Sequence, residues 1–251
     1  MLEPLAYAAL AGTALVAGFI DAVAGGGGLL TLPALLFAGV PPHLALGTNK
    51  AQSVCGTTLA TLRYRRAGLF RLGENRALVA AVFVGAVLGA EAIQRVDGRI
   101  LALIVPVLLM AVAAYTLLSR RMADSDSHAR LSDGAYRPIA GGIGFYDGFF
   151  GPGTGQFFAV SLVGLRGLGL TRATGLAKLL NLTSNLASLI AFAMGGKVLW
   201  LLGLTMAAGS MTGGWLGAHF ATRHGARAIR PLMVTASLAL TGKLVWGWFA
   251  P

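Results

Sequence analysis

Charge and cysteine are both scarce in this chain. Asp, Glu, Lys and Arg make up 12% of its 251 residues, about half the ~25% share of a soluble domain. A water-soluble globular fold, a charge-rich disordered tail and a fibrous repeat are thereby excluded. Cys55 is the only cysteine, so no disulfide can form within the chain. His43, His128, His219 and His224 show no metal-ligand spacing, and nothing calls for a metal or cofactor. Neither glycine cluster continues into Gly-Lys-Ser/Thr, which excludes a nucleotide loop.

What remains is apolar and rich in glycine. Hydrophobic residues reach 56% and glycines number 36, and the mean hydropathy is +0.73. This composition is that of a polytopic helical membrane protein, in which glycine is more frequent than in soluble helices. The net charge of +11 does not point to nucleic acid. The arginines fall in short stretches between apolar runs, with no polar face of interleaved aromatics.

Each half holds about five apolar segments: 4–24, 29–40, 46–62, 77–94 and 100–119, then 138–150, 155–165, 174–195, 199–221 and 230–249. A span needs about 20 residues, so 29–40, 138–150 and 155–165 are too short to cross alone. They adjoin Gly25-Gly26-Gly27-Gly28 or Gly151-Pro152-Gly153-Thr154-Gly155 and read as broken helices, either re-entrant hairpins or discontinuous spans. The polar linker 120–137 separates a first transmembrane repeat, 1–119, from a second, 138–251. Ala22-Val23-Ala24 mimics a signal-peptidase site, but Glu3 stands where a basic leader would begin.

The halves repeat. Gly18-Phe19-Ile20-Asp21 aligns with Gly144-Phe145-Tyr146-Asp147 at an offset of 126. At an offset of 128, Lys50 meets Lys178 and the run Gly85–Ala90 meets Gly213–Ala218. Because Asp21 has a mate, the first segment is expected to belong to the fold and not to a leader. An odd number of segments per half implies that the second half is inverted. With 63–76, 120–137, 166–172 and 222–230 in the cytoplasm, fourteen basic residues lie inside and only Arg95, Arg99 and Lys197 outside, as the positive-inside rule favours. Both termini then face out. Inverted repeats with broken helices are the build of secondary transporters, which bind substrate near the midplane.

Ionisable residues within apolar segments cost several kcal/mol, about 2.5–3.5 on insertion scales, and need a reason. Asp21 with Asp147 and Lys50 with Lys178 form two repeat-related pairs. Around Lys50 stand Asn49, Gln52, Ser53 and Thr57; around Lys178 stand Asn181, Thr183, Ser184 and Asn185. Helical spacing puts Lys50, Ser53 and Thr57 on one face, and Lys178, Asn181 and Asn185 on another. The breaks at Gly27-Gly28 and Gly153-Thr154-Gly155 are expected to free backbone amides at helix starts, from Leu29 and Gln156 onward, which favour anions; Thr154 adds a hydroxyl. Together these residues read as an anion receptor. Three other readings stand beside it: lysines that snorkel to an interface, aspartates that cap helices or partner the lysines, and an acid that carries a proton. Gly209, Gly213 and Gly217 read as helix-packing positions. Trp200, Trp246 and Trp248 suit an interfacial belt and Lys243 a snorkelling end.

The run Gly18 to Gly28, with Leu32-Pro33 and Gly47-Thr48-Asn49-Lys50, resembles the TauE/SafE family of sulfite exporters. So does the second half, with Asp147, Gly151 to Gly155, Thr174-Gly175, Lys178, Asn181 and Asn185. The resemblance implies a carrier in the bacterial inner membrane that exports sulfite or C2 sulfonates such as sulfoacetate; the repeat build adds alternating access, and the charge bias puts both termini in the periplasm. It leaves a homodimer open. It departs from symmetry in Ser53 and Thr57, which face Asn181 and Asn185 as mates. The competing readings are an intramembrane enzyme acting on an anionic lipid or metabolite, and a non-transporting membrane subunit. No nucleophile or metal constellation supports the enzyme.

Overall fold

A computed structural model describes residues 3–101, 104, 107–108 and 128–225. Regular structure among them is entirely helical: α1 (Pro4–Ala24), α2 (Gly28–Phe37), α3 (Pro42–Arg66), a 3-10 turn (Gly73–Asn75), α4 (Arg76–Gln94), α5 (Asp133–Phe149), α6 (Thr154–Arg166), α7 (Leu170–Met194) and α8 (Trp200–His224). Most of the expected segment 100–119 and all of 230–249 lie outside the described residues, as do Arg120, Arg121, Arg227, Arg230, Lys243, Trp246 and Trp248. Pro4–Ala24, Gly73–Gln94 and Leu170–Met194 are long and apolar enough to cross a membrane. Val16, Phe83, Leu88, Leu204, Trp215 and Leu216 are exposed, on a scale that water does not favour and lipid does.

Helix ends differ from the apolar runs where the first or last turn is polar. α5 begins at Asp133, five residues before the run at 138, because the Ser132 hydroxyl accepts the Ala135 N–H at 3.3 Å and Asp133 sits in the first turn. α3 runs on to Arg66 because Arg63, Arg65 and Arg66 complement its C-terminal dipole.

Glycines set the helix directions. A Cβ on Gly209 would meet Ala11, one on Gly213 would meet Leu15 and one on Gly217 would meet Phe19. α1 and α8 therefore run the same way with backbones in contact, which is the packing role expected of those glycines. Their repeat mates do the same: Gly85 lies on Gly141 and Gly89 on Phe145, so α4 and α5 also run together. α3 and α7 run oppositely, with Gly47 against Phe192 at one end and Gly175 against Tyr64 and Leu69 at the other.

Both broken pairs turn back. Gly27 packs on Ala17 and Asp21 of α1, and residues 38–41 share a cleft with Tyr7 near the start of α1. In the second half Leu165 O accepts the N–H groups of Arg130 and Leu131, and Arg166 pairs with Asp133, so α6 returns to the start of α5. With only 10 residues, α2 rises about 15 Å, half of a ~30 Å hydrocarbon core. The turns use left-handed glycines, Gly25 (φ 78°) and Gly26 (φ 92°) in one, Gly151 (φ 100°) and Gly153 (φ 85°) in the other.

Arg63, Arg65, Arg66, Arg71, Arg76, Arg166, Arg172 and Arg223 thus gather at one end of the bundle, and Arg95 and Lys197 at the other. The interior is split. One apolar cluster near the basic end includes Tyr64, Tyr136, Phe158, Leu162 and Leu180. A second near the opposite end includes Leu32, Leu46, Ile93, Phe150 and Phe192. A polar layer lies between them.

Candidate functional site

The polar layer is built where the two hairpin tips meet α3 and α7. Lys50, in α3, donates to the Asp147 carboxylate (Oδ1, 3.0 Å) and to its backbone carbonyl (2.6 Å). Lys178, in α7, donates to the Asp21 carboxylate (Oδ2, 2.9 Å) and to its backbone carbonyl. Each lysine therefore clasps the acid of the other half by the same pair of acceptors. Asp21 and Asp147 sit in the last turns of α1 and α5, where the helix dipole is negative and a cation is favoured. Snorkelling is overturned, since the Lys50 and Lys178 side chains are 2% and 1% exposed. The four charges cancel within the layer.

The tips themselves are pressed together. Gly25 abuts Gly155 and Gln156, and the Gln156 carboxamide donates to Gly25 O at 3.3 Å. A Cβ on Gly151 would lie 2.8 Å from Lys50 Nζ, and Gly151 has φ 100°, so this position admits glycine on both counts.

Beside the clasps is a compact cavity with about 30 Å³ of water-accessible space. Among the residues expected to form a site, Asp21, Gly27, Gly28, Asn49, Lys50, Gln52, Ser53, Thr57, Gly153, Thr154, Gly155, Asn181 and Asn185 all line it. Lys178 stands just behind Gly155. Asp147 and Ser184 are sealed in the interior away from the wall, and the Ser184 hydroxyl is spent on Asn181 O at 3.1 Å.

The expected helix-start donors need correction. The Leu29 and Gln156 amides already donate to Gly26 O and Gly153 O, at 2.9 Å each, because both helices begin with a tight 3-10-type turn that consumes them. The Gly27 amide donates to Asp21 Oδ1 at 3.2 Å. The amides of Gly28 and Gly155, one from each hairpin, bond to no described residue, and both residues line the cavity. The Thr154 hydroxyl closes its own turn by donating to Gly151 O at 2.6 Å, and Thr57 donates to Ser53 O at 2.7 Å. Neither hydroxyl keeps a free proton for a ligand.

The α3 wall is a locked network. Asn49 Oδ1 accepts from Thr31 (2.5 Å) and Gln52 (2.9 Å), and Gln52 also donates to Ser53. With its oxygen used, Asn49 presents Nδ2 beside Gly28. Sequence reasoning missed Thr31, the Gln156 side chain and Ser210, all buried polar groups of this layer. Ser210 lies opposite Gly56 on the cavity wall. Its only signal was a hydroxyl within the glycine face of α8. Among the described residues no group of three His, Cys, Asp or Glu side chains is placed to hold a metal.

The sequence matches the family Sulfite exporter TauE/SafE over residues 10–244. The chain belongs to the TauE/SafE sulfite exporter family. Its members named here as relatives are membrane transporters by description. The chain is 41% identical over 247 residues to "Probable membrane transporter protein YfcA" of Escherichia coli (strain K12), covering 98% of this chain and 92% of that protein. It is 44% identical over 237 residues to a "Probable membrane transporter protein" of Haemophilus influenzae, covering 93% of each. A Sinorhizobium protein, "Probable membrane transporter protein ORF9", is 44% identical over 233 residues, covering 92% of this chain and 89% of its own length. No solved structure matches. This TauE/SafE member is a membrane protein of a transporter family, with a buried polar layer between two apolar clusters.

Proposed function

We propose that the chain is a secondary carrier that exports small sulfur-containing anions, sulfite or C2 sulfonates such as sulfoacetate, across the bacterial inner membrane. The observation that carries this reading is the cavity between the apolar clusters, lined by one amide from each hairpin that bonds to no described residue (Gly28 and Gly155) and by Asn49, Asn181 and Asn185. Neutral donors fixed in a low-dielectric layer suit a compact oxyanion headgroup. Lys50 and Lys178 supply positive charge beside it, while Asp21 and Asp147 hold the hairpins and tune the lysines.

The reading includes two inverted repeats. It is supported by α1 running with α8 and α4 with α5, while α3 opposes its mate α7, and by the exchange of lysine and aspartate between halves. Alternating access by rocking one repeat against the other follows from such a build. The arginine-rich end is placed in the cytoplasm and the N-terminus in the periplasm.

The test is thermal stabilisation of the purified protein by sulfite, sulfate, sulfoacetate, taurine and an uncharged analogue. A ligand at about 100 times its Kd stabilises by about 2.7 kcal/mol. Stabilisation by sulfite or one sulfonate, lost in Lys50→Ala and Lys178→Ala variants that still fold, is the expected result. Indifference of the wild type to every anion of the panel overturns the substrate class, and unaltered binding in both variants overturns the site.

A further inference from the structure

The polar layer contains its own charge balance, and that balance constrains what enters with the anion. Lys50 and Lys178 are cancelled by Asp147 and Asp21, and all four lie between apolar clusters. A monoanion entering such a layer unaccompanied places an uncompensated charge beside two carboxylates, in surroundings where charge is costly. Neutrality is restored most simply by one proton on one aspartate, and the two acids are not equivalent as acceptors. The Asp147 side chain is 1% exposed and does not line the cavity; that of Asp21 is 19% exposed and does.

We propose that Asp21 takes up a proton when the anion binds, so that one monoanion and one proton occupy the site together. The proposal rests on the anion-carrier reading above. The proton comes from water on the side to which the cavity opens and adds to Asp21 Oδ2. The Oδ2–Lys178 ion pair is lost, Lys178 stays an ammonium, and it pairs instead with the anion beside Gly155, against which Nζ already stands. The layer gains one negative and one positive charge and remains neutral. The Gly27 amide keeps hold of Oδ1 throughout, so the hairpin tip need not open.

The groups that face Asp21 are few. Lys178 comes from α7, and Lys50 and the Tyr64 phenol from α3, the phenol donating to the neighbouring Ala22 O at 2.9 Å. Asp147 acts on it through Lys50. α2 carries no titratable side chain, that of α6 is Arg166 at its far end, and those of α8 are His219, Arg223 and His224 toward the basic end. Among the described residues no second acid lines the cavity.

The experiment is calorimetric titration of the full-length purified protein with isethionate, a sulfonate ionised at every pH used, in two buffers of different ionisation enthalpy. The expected result is uptake of about one proton per anion, with affinity falling up to about tenfold per pH unit above a midpoint. In Asp21→Asn, which mimics the protonated acid, binding persists without proton uptake or pH dependence. Asp21→Glu guards against a misfolded amide variant: it retains uptake and moves the midpoint. Isethionate binding to wild type with no proton uptake overturns the proposal and leaves the carrier reading intact. Uptake that survives in Asp21→Asn, or a midpoint unmoved in Asp21→Glu, overturns the assignment to Asp21. If isethionate fails to bind wild type at any pH while sulfite and sulfoacetate also fail to stabilise it, the carrier reading itself fails.

Discussion

The Lys50–Asp147 and Lys178–Asp21 clasps are made of the same residues, on mated helices, with the same two acceptors, yet their surroundings differ. Both Asp21 oxygens are satisfied, one by Lys178 and one by the Gly27 amide, and the side chain reaches the cavity. Asp147 is sealed, and its Oδ2 has no hydrogen-bond partner among the described residues. The walls differ too. Asn49 and Gln52 of α3 stand where α7 has Ala177 and Leu180 at the repeat offset, and Ser53 and Thr57 where it has Asn181 and Asn185. The repeated motif thus seals one clasp in the interior and leaves the acid of the other facing the cavity. Matching residues do not entail matching surroundings.

Lys50→Ala breaks this comparison most severely. It leaves the Asp147 carboxylate buried and unpaired, and a loss of about 3–5 kcal/mol is expected, read as a lowered melting temperature in detergent. Lys178→Ala should cost clearly less, because Asp21 keeps its amide donor and its access to the cavity. Equal losses would show that exposure does not distinguish the clasps. Replacing both partners, as Lys50→Met with Asp147→Leu, should recover most of the stability lost by Lys50→Ala, since no orphaned charge remains.

Gly213→Ala comes next. Its methyl would meet the Leu15 carbonyl, and overpacking of this kind costs about 1–3 kcal/mol. Gly12→Ala, a helical position with nothing close to the added carbon, should instead stabilise by about 0.5–1 kcal/mol. The two melts together separate a packing role for glycine from mere abundance.

A change in binding rather than in stability sharpens the comparison of the walls. Gln52→Leu gives α3 the residue that α7 carries at the matching position and removes a donor to Asn49 Oδ1. Anion affinity should fall by about tenfold, or about 1.4 kcal/mol, with little loss of stability. Unchanged affinity would show that the locked carboxamide network does not serve the ligand.

Much of this was legible in the residues, for specific reasons. The two lysines and two aspartates stood out because charge is rare in apolar runs, and the glycine clusters marked the hairpin tips because only glycine tolerates their backbone. The first turn of α5 was missed because its capping residues, Ser132 and Asp133, look like linker. The helix-start amides of Leu29 and Gln156 were misjudged because a tight first turn, invisible in composition, spends them on Gly26 O and Gly153 O. Ser210 was missed because a single hydroxyl in a glycine-rich helix has no periodic signal.

The sequence by itself determined that the chain prefers lipid, that it repeats, and which residues are too costly to bury without purpose. Those are properties of transfer free energy and local backbone preference, which each residue carries with it. Only the tertiary structure decided that the broken pairs fold back, that each lysine reaches the acid of the other half, and that one acid meets the cavity while its twin is sealed. These depend on contacts between residues 97 and 157 positions apart, a separation over which no local pattern carries information.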